Sequence, residues 1–232
     1  MRMLVVGATG YVGRHVVSAA MAAGHAVIAH VRPASASGDR ASAEFAARGV
    51  RVIRTPWTGE AWRHALEVEA PERIFLLLGT FAGRARTARS GGGDASQATV
   101  DLGLTILVLH AAQVGAPEAG VVYLSALGAS PTGNEYLKVR ATVEAALARG
   151  SNPFTLVRPS FITGPDRVES RPGERVGAIL ADAAGSMLRL VGRRGLAARL
   201  GSITGGDLAA ILVGLAAAPL DRQVHELDDF RR

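Results

Sequence analysis

The sequence predicts an α/β protein built on a doubly wound parallel sheet with helices on both faces. Short apolar runs alternate with longer segments of helical period along the 232 residues, which is the pattern of parallel strands joined by crossover helices. Several runs are uninterrupted stretches of β-branched residues or leucine, as expected for strands that are covered on both faces. A glycine-rich turn after the first run indicates that the sheet is of the Rossmann type.

The predicted elements alternate from the first residues to the last. Seven apolar runs predict strands at Met3–Val6, Ala26–Val31, Val50–Arg54, Ile74–Leu78, Val121–Ser125, Thr155–Arg158 and Val224–Leu227. Segments of helical period predict helices at Gly10–Ala23, Ser42–Arg48, Trp62–Glu67, Gln97–Val114, Glu135–Arg149, Arg175–Leu190 and Asp207–Ala217. We find no internal repeat and no interdomain linker, so residues 1–232 are expected to form a single domain.

Composition and charge exclude several classes of protein. Hydrophobic residues make up 48% of the chain, which excludes general disorder. The absence of cysteine excludes disulfides, thiolate metal sites and cysteine nucleophiles. The net charge is +6, and the basic residues are spread along the chain. All of them are arginines except Lys138. We therefore expect a solvated basic surface and no nucleic-acid partner; a polyanion-binding protein would instead show steeply salt-dependent binding.

The sequence lacks a secretion signal, a membrane-spanning segment and a metal-binding motif. The first residues run directly into a strand without the features of a secretion signal, and the longest apolar stretch, Leu208–Pro219, is shorter than the ~20 residues that span a bilayer. We expect a cytoplasmic protein without a membrane span. The six histidines show no metal-ligand spacing, so we expect no metal site and place them at the surface or at helix ends.

The segment Gly7–Gly13 predicts a dinucleotide-binding turn. Gly7 permits a tight turn, Gly10 lets the backbone approach a pyrophosphate, and Gly13 allows the following helix to pack closely on the sheet. The helix N-terminus presents N–H groups and a positive dipole end to the phosphates. We expect this turn to bind the cofactor together with Thr9, Tyr11 and Val12.

The end of the second predicted strand favours NADP(H) over NAD(H). An acidic residue there would bind the ribose 2′-hydroxyl of NAD, whereas an arginine would bind the 2′-phosphate of NADP. Arg32 follows this strand, and no acidic residue occurs before Asp39. We expect Arg32 to bind the 2′-phosphate, although an ordinary exposed loop arginine is the alternative.

Several motifs resemble those of the atypical short-chain dehydrogenase/reductase superfamily. They are the Gly-Ala-Thr-Gly-Tyr-Val-Gly turn and the Arg-Pro-Ser-Phe-Ile-Thr-Gly-Pro segment at 158–165. The resemblance implies that Leu78, Gly79 and Thr80 contact the cofactor, and it places Asp101 where extended members carry an asparagine. A narrower resemblance is to the NmrA-like branch and its NADPH-binding Tat-interactive-protein oxidoreductases, on residues 136–145 and 166–174.

The resemblance implies a catalytic set of serine, tyrosine and a cation. In the family a tyrosine exchanges a proton with a carbonyl or alcohol, a lysine four residues later lowers its pKa, and a serine orients the substrate oxygen. Ser125 and Tyr136 lie where the family places its serine and tyrosine. Arg140 replaces the lysine; it supplies positive charge but cannot release a proton to a relay. A tyrosine that merely packs at the helix start is the alternative for Tyr136.

The remaining expectations concern the substrate side of the site. The resemblance places Pro159, Phe161 and Ile162 beside the nicotinamide, and residues from about 161 to 200 form a small C-terminal lobe over the substrate. The arginine- and glycine-rich segment 83–96 is either a surface loop or part of a binding lid. We expect reduction of a carbonyl, or oxidation of the matching alcohol, of a small-molecule substrate. The alternative is a non-catalytic NADP(H)-binding sensor, and a homodimer is possible in either case.

Overall fold

The computed structural model describes residues 1–33, 36–79, 97–164 and 202–230. Seven strands form one sheet: β1 Arg2–Val6, β2 Ala26–His30, β3 Arg51–Ile53, β4 Arg73–Leu76, β5 Gly120–Leu124, β6 Phe154–Arg158 and β9 Gln223–Glu226. They are parallel and lie in the order β3-β2-β1-β4-β5-β6-β9. The chain proceeds outward from β1 to β3 and returns to β4 on the other side of β1. The doubly wound Rossmann-type sheet is thereby confirmed.

Helices cover both faces of this sheet. The α-helices of the described residues are α1 Tyr11–Ala22, α2 Ala36–Ala47, α3 Gly59–Glu69, α4 Gln97–Gly115, α5 Glu135–Arg149 and α6 Gly205–Ala217. Side chains of α1, α2 and α6 pack on one face, and side chains of α3, α4 and α5 pack on the other. In β1, Met3 and Val5 face the first layer while Leu4 and Val6 face the second. This burial on both faces explains why the strands are continuous apolar runs.

All seven predicted strands are present in the sheet, with bounds that differ by one or two residues. Three helices begin earlier than predicted, and the shift is two residues for α6, which starts at Gly205 rather than at Asp207. Helix α3 starts at Gly59 because the Thr58 side chain accepts a hydrogen bond from the backbone N–H of Ala61 at 3.3 Å. Helix α2 starts at Ala36, six residues before the predicted start at Ser42.

A second, two-stranded parallel sheet was not predicted. It pairs β7 Phe161–Thr163 with β8 Ser202–Thr204, and it is anchored to α1 because the Tyr11 hydroxyl donates to the Thr163 carbonyl at 3.2 Å. The predicted helix at Arg175–Leu190 and most of the predicted lobe lie outside the described residues, as do the segment 83–96 and Thr80.

The expectation for the histidines is wrong at His30. Its ring is 3% exposed at the end of β2 and lies 4.8 Å from the Trp57 ring and 4.7 Å from the Trp62 ring, measured between centroids. Burial lowers its pKa from 6.5 to about 4, against a smaller opposing effect of the hydrogen bond to the Thr55 carbonyl. His30 is therefore a neutral member of an aromatic cluster.

Two kinds of feature are absent from the described ranges. No helix there is long and apolar enough to cross a membrane. The same ranges contain no group of three or more histidine and carboxylate side chains placed to hold a metal ion.

Candidate functional site

The turn between β1 and α1 has the backbone that its three glycines require. Gly7 adopts a φ of +93°, and a Cβ there would lie 2.9 Å from the Leu77 carbonyl oxygen. The Gly10 N–H donates to the Gly7 carbonyl at 3.0 Å, and Gly10, the residue before α1, offers no side chain to cap the helix. A Cβ at Gly13 would overlap the Gly7 carbonyl oxygen. The N-terminus of α1 is therefore approachable by an anion.

This turn lies at the point where the strand order reverses. β1 has β2 on one side and β4 on the other, and ligands of such sheets bind in the crevice at the carboxyl ends of those strands. Leu77, Leu78 and Gly79 follow β4 at this edge, and the Leu77 backbone lies so near Gly7 that a Cβ there would be 2.9 Å from it. The structure thus brings the predicted Leu78–Gly79 segment next to the glycine turn.

The end of β2 presents cationic side chains. Arg32 is exposed just after this strand. The nearest following carboxylate, Asp39, is bound by Arg54 at 2.6 Å. Gly38 lies close to both arginines, since a Cβ there would be 3.2 Å from the Arg32 carbonyl oxygen and 3.3 Å from Arg54 Nη2. The carboxylate that follows β2 is therefore neutralised, and two arginines lie at this end of the crevice.

Tyr136 and Arg140 share one face of α5, as the spacing of four predicts. The Asn134 side chain caps the helix by accepting from the Leu137 N–H at 3.0 Å, which fixes Tyr136 in the first turn. Tyr136 is 38% exposed, whereas Arg140 is only 8% exposed. The guanidinium carbon lies 5.0 Å from the centroid of the Tyr136 ring.

The buried guanidinium of Arg140 is held by oxygen atoms. Its Nη1 donates to the Leu124 carbonyl at 2.9 Å and to the Leu78 carbonyl and the Tyr123 hydroxyl at 3.2 Å each. Its Nη2 lies against Gly79, where a Cβ would overlap it. Arg140 therefore links the segment after β4, the end of β5 and the exposed tyrosine of α5.

The electrostatics of this group keep Arg140 charged. Burial lowers the pKa of its guanidinium, but the nearby Tyr123 and Tyr136 hydroxyls raise it, and the net pKa lies above its ordinary value. Burial also raises the pKa of Tyr123, and Arg140 offsets this only in part. Tyr123 is consequently a neutral phenol that accepts from Arg140, and Tyr136 is the tyrosine that reaches solvent.

A small cavity adjoins this cluster. It has a volume of about 20 Å³, enough for one water molecule. Its polar lining consists of Asp101, Thr105, Tyr123, Tyr136 and Arg140. Asp101, expected in the position of the family's asparagine, thus lies beside the predicted catalytic pair. Nothing in the apolar run of β5 had marked Tyr123 as part of this group.

Ser125 is engaged by a carboxylate. It follows β5 directly, is 2% exposed, and its Oγ lies 2.5 Å from Glu144 Oε1. Glu144 is in turn bound by Arg158 through two bonds, of 2.9 Å from Nε and 2.6 Å from Nη2. Both Glu144 and Arg158 stand in the motifs that carry the family resemblance, but their positions in the sequence give no sign that they pair.

The other predicted residues lie around the edge of this site. Pro159 is buried and its carbonyl accepts from the Leu127 N–H at 2.9 Å. Phe161 and Ile162 belong to β7. Thr9 is exposed. Val12 is 7% exposed within the core, so only its backbone can face a cofactor. The Tyr11 ring packs against Gly205 and His15.

The first third of the chain matches a known family. Residues 1–74 match the model of the NmrA-like family. A phenylcoumaran benzylic ether reductase of Pinus taeda is 35% identical over 83 residues, which are 34% of this chain and 26% of that protein. The matched part is thus about a quarter of the length of this curated relative.

Solved structures share the fold over nearly the whole chain. UDP-glucose 4-epimerase of Thermus thermophilus, solved with NAD, has a TM-score of 0.68 at 16% identity and covers 98% of this chain and 77% of its own. The anaerobillin reductase ChuY of Escherichia coli O157:H7 has a TM-score of 0.63 at 17% identity and covers 97% of this chain and 96% of its own. Together with the family match, these findings confirm the resemblance to the atypical short-chain dehydrogenase/reductase superfamily.

Proposed function

We propose that this chain, of the atypical short-chain dehydrogenase/reductase type, is an NADP(H)-dependent oxidoreductase that acts on a carbonyl or alcohol of a small molecule. One observation carries the proposal. The glycine turn, the Leu78–Gly79 segment and the Arg140–Tyr136 pair follow one another along one edge of the sheet. A dinucleotide with its pyrophosphate on the turn would extend along this edge towards Tyr136.

The residues present fit such a cofactor. Side chains at Gly7 and Gly13 would fill the turn that approaches the phosphates, and the uncapped N-terminus of α1 favours their negative charge. The absence of a side chain at Gly79 makes room for Nη2 of Arg140. When bound, NADP(H) supplies or accepts the hydride.

Tyr136 is the proposed proton donor. Its hydroxyl gives its proton to the carbonyl oxygen during reduction, and the same residue takes the proton back during alcohol oxidation. The charge of Arg140, 5.0 Å from the ring centroid, stabilises the tyrosinate that forms. Arg140 cannot itself pass the proton on, so replenishment must come through solvent or the ligand. Ser125 would contact the substrate beside this tyrosine.

The preference for NADP(H) rests on the end of β2. Exposed Arg32 offers positive charge where a 2′-phosphate would lie, and the nearest following carboxylate, Asp39, is already paired with Arg54. We expect Arg32→Glu to weaken NADPH binding by about tenfold or more, since a charged hydrogen bond contributes ~1.5–3 kcal/mol, while NADH binding changes little. Arg149→Glu, at an exposed arginine at the end of α5, is the charge-matched control.

That proposal is tested by following the fluorescence of bound NADPH and NADH in both variants. Equal affinity for the two cofactors, before and after Arg32→Glu, would refute the assignment of the 2′-phosphate to Arg32.

The second candidate is a cofactor-binding sensor without turnover. It is favoured by Arg140 in place of the family lysine and by the engagement of the Ser125 hydroxyl with Glu144. The substitution Tyr136→Phe distinguishes the two functions. An oxidoreductase loses cofactor oxidation with that substitution, whereas a sensor binds the cofactor tightly in both proteins and consumes it with no member of a carbonyl panel.

The proposed partners and location follow from this function. The proposed partner is a small-molecule substrate rather than a nucleic acid. The proposed location is the cytoplasm. A homodimer stays a prediction, and light scattering on the purified protein at two concentrations tests it.

A further inference from the structure

We infer that Glu144, held by Arg158, is a positioning residue that makes Ser125 a hydrogen-bond acceptor towards the ligand. The ligand group that meets Ser125 is then a hydroxyl or N–H next to the reacting carbon. This inference rests on the proposed function, because that function supplies the ligand. It reverses the role that the resemblance gives to Ser125, in which the serine donates to a substrate carbonyl.

The ion pair fixes the charge on Glu144. Arg158 binds one carboxylate oxygen through Nε and the other through Nη2, at 2.9 and 2.6 Å, which is the bidentate geometry of a strong pair. The Glu144 side chain is 12% exposed and that of Arg158 27% exposed, so water screens the pair only in part. An ionised carboxylate has no proton and can only accept hydrogen bonds.

The direction of the serine bond follows from that charge. Oγ of Ser125 lies 2.5 Å from Glu144 Oε1, and Ser125 has one hydroxyl proton, so it must be the donor. Its backbone is fixed as well, because its N–H donates to the Val157 carbonyl at 2.9 Å. Only the lone pairs of Oγ remain for a further partner.

Ser125 lies at the same edge of the sheet as the proposed reaction site. Ser125 directly follows Leu124, whose carbonyl binds Arg140 Nη1 at 2.9 Å, and Arg140 lies against Tyr136. A carbonyl oxygen placed against Oγ would meet lone pairs with no proton between them, and it is therefore disfavoured. A ligand hydroxyl or N–H would donate to the same atom, which leaves Tyr136 to serve the reacting oxygen.

A thiol probe tests the direction of this bond without any cofactor. The chain has no cysteine, so Ser125→Cys introduces a single thiol, whose ionisation is followed by the ultraviolet absorbance of the thiolate. We expect the Glu144 carboxylate to raise the pKa of this thiol, and Glu144→Gln in the same background to increase the thiolate fraction at one pH by about tenfold. Ser151→Cys, at an exposed serine, is the reference thiol.

Equal titration of Ser125→Cys with and without Glu144→Gln would overturn the inference, whatever the outcome of cofactor binding. If Glu144→Gln does not fold, as judged by circular dichroism, Glu144→Asp replaces it. That variant keeps the charge but shortens the side chain, so the thiolate fraction should again rise relative to Ser125→Cys alone.

A pair of substrates tests the consequence for the ligand. Hydroxyacetone carries a hydroxyl next to its carbonyl, and methoxyacetone carries an ether oxygen there. With NADPH, we expect kcat/KM to favour hydroxyacetone in the wild type, and the ratio to fall by about tenfold in Glu144→Gln, where the glutamine amide can donate to Oγ and release the serine proton. Glu118→Gln, at an exposed glutamate, should leave the ratio unchanged. A wild-type preference for methoxyacetone would contradict the inference.

Discussion

Acidification should destabilise this protein through His30. The ring is buried against Trp57 and Trp62, and its Nε2 lies 3.1 Å from the Thr55 carbonyl oxygen. Burial lowers the folded-state pKa to about 4, compared with 6.5 for an ordinary histidine. Between these values the unfolded chain binds a proton that the folded protein does not. The contribution to stability is therefore complete above about pH 6.5 and is lost as the pH falls towards 4.

The size of this loss follows from the two pKa values. Their difference of about 2.5 units corresponds to about 3 kcal/mol once the pH is below both. At about pH 5 the linkage relation gives a loss of about 2 kcal/mol relative to about pH 7.5. That is a large part of the 5–15 kcal/mol that typically stabilises a folded domain.

Urea unfolding at about pH 7.5 and about pH 5 measures the effect, compared between the wild type and His30→Phe. Phenylalanine keeps a ring in the aromatic cluster but cannot take up a proton. It leaves the Thr55 carbonyl without this partner, which should cost about 1 kcal/mol at both pH values. The difference in unfolding free energy between the two pH values should shrink by about 2 kcal/mol in His30→Phe.

His64→Gln removes an exposed histidine of α3 and should leave the pH dependence as in the wild type. The same loss of stability on acidification in the wild type and in His30→Phe would refute the assignment to His30.

Three further substitutions test the packing and chemistry of the site. Gly13→Ala should lower the unfolding free energy by about 1–3 kcal/mol and weaken NADPH binding, because its Cβ overlaps the Gly7 backbone. Gly214→Ala is the control, since a Cβ there meets open space, and it should be neutral or stabilising. Equal effects of the two substitutions would contradict this reasoning. Arg140→Met should cost about 2–4 kcal/mol in urea unfolding, since it leaves buried oxygen acceptors unpaired, and Arg140→Lys should cost less. Tyr136→Phe should abolish NADPH oxidation while fluorescence titration shows unchanged cofactor binding; retained turnover would exclude Tyr136 as the proton donor.

The main sheet was predictable because its strands obey a local rule. Each is a short run that is apolar on both faces, and burial under two helical layers demands that pattern. The pair β7–β8 does not obey it. Each strand has three residues and pairs with a segment some 40 residues away in the sequence, so no local periodicity distinguishes it from a loop.

The site was predictable where spacing along one element decides the geometry. Tyr136 and Arg140 share a helix face because they are four residues apart, and Gly7 and Gly13 meet because the turn is short. The contacts that join different elements were not predictable. The bond from Ser125 to Glu144 joins β5 to α5, and the pair of Glu144 with Arg158 joins α5 to β6. The burial of His30 likewise depends on Trp57 and Trp62, which come from other parts of the chain.

Titration of the purified protein with NADPH and, separately, NADH tests the central claim most directly. The fluorescence of the bound nicotinamide reports binding, and circular dichroism in the same buffer shows that the protein is folded. The glycine turn and Arg32 predict saturable binding with a clear preference for NADPH. Binding of neither cofactor by the folded protein would contradict the proposed cofactor site, and the oxidoreductase proposal with it.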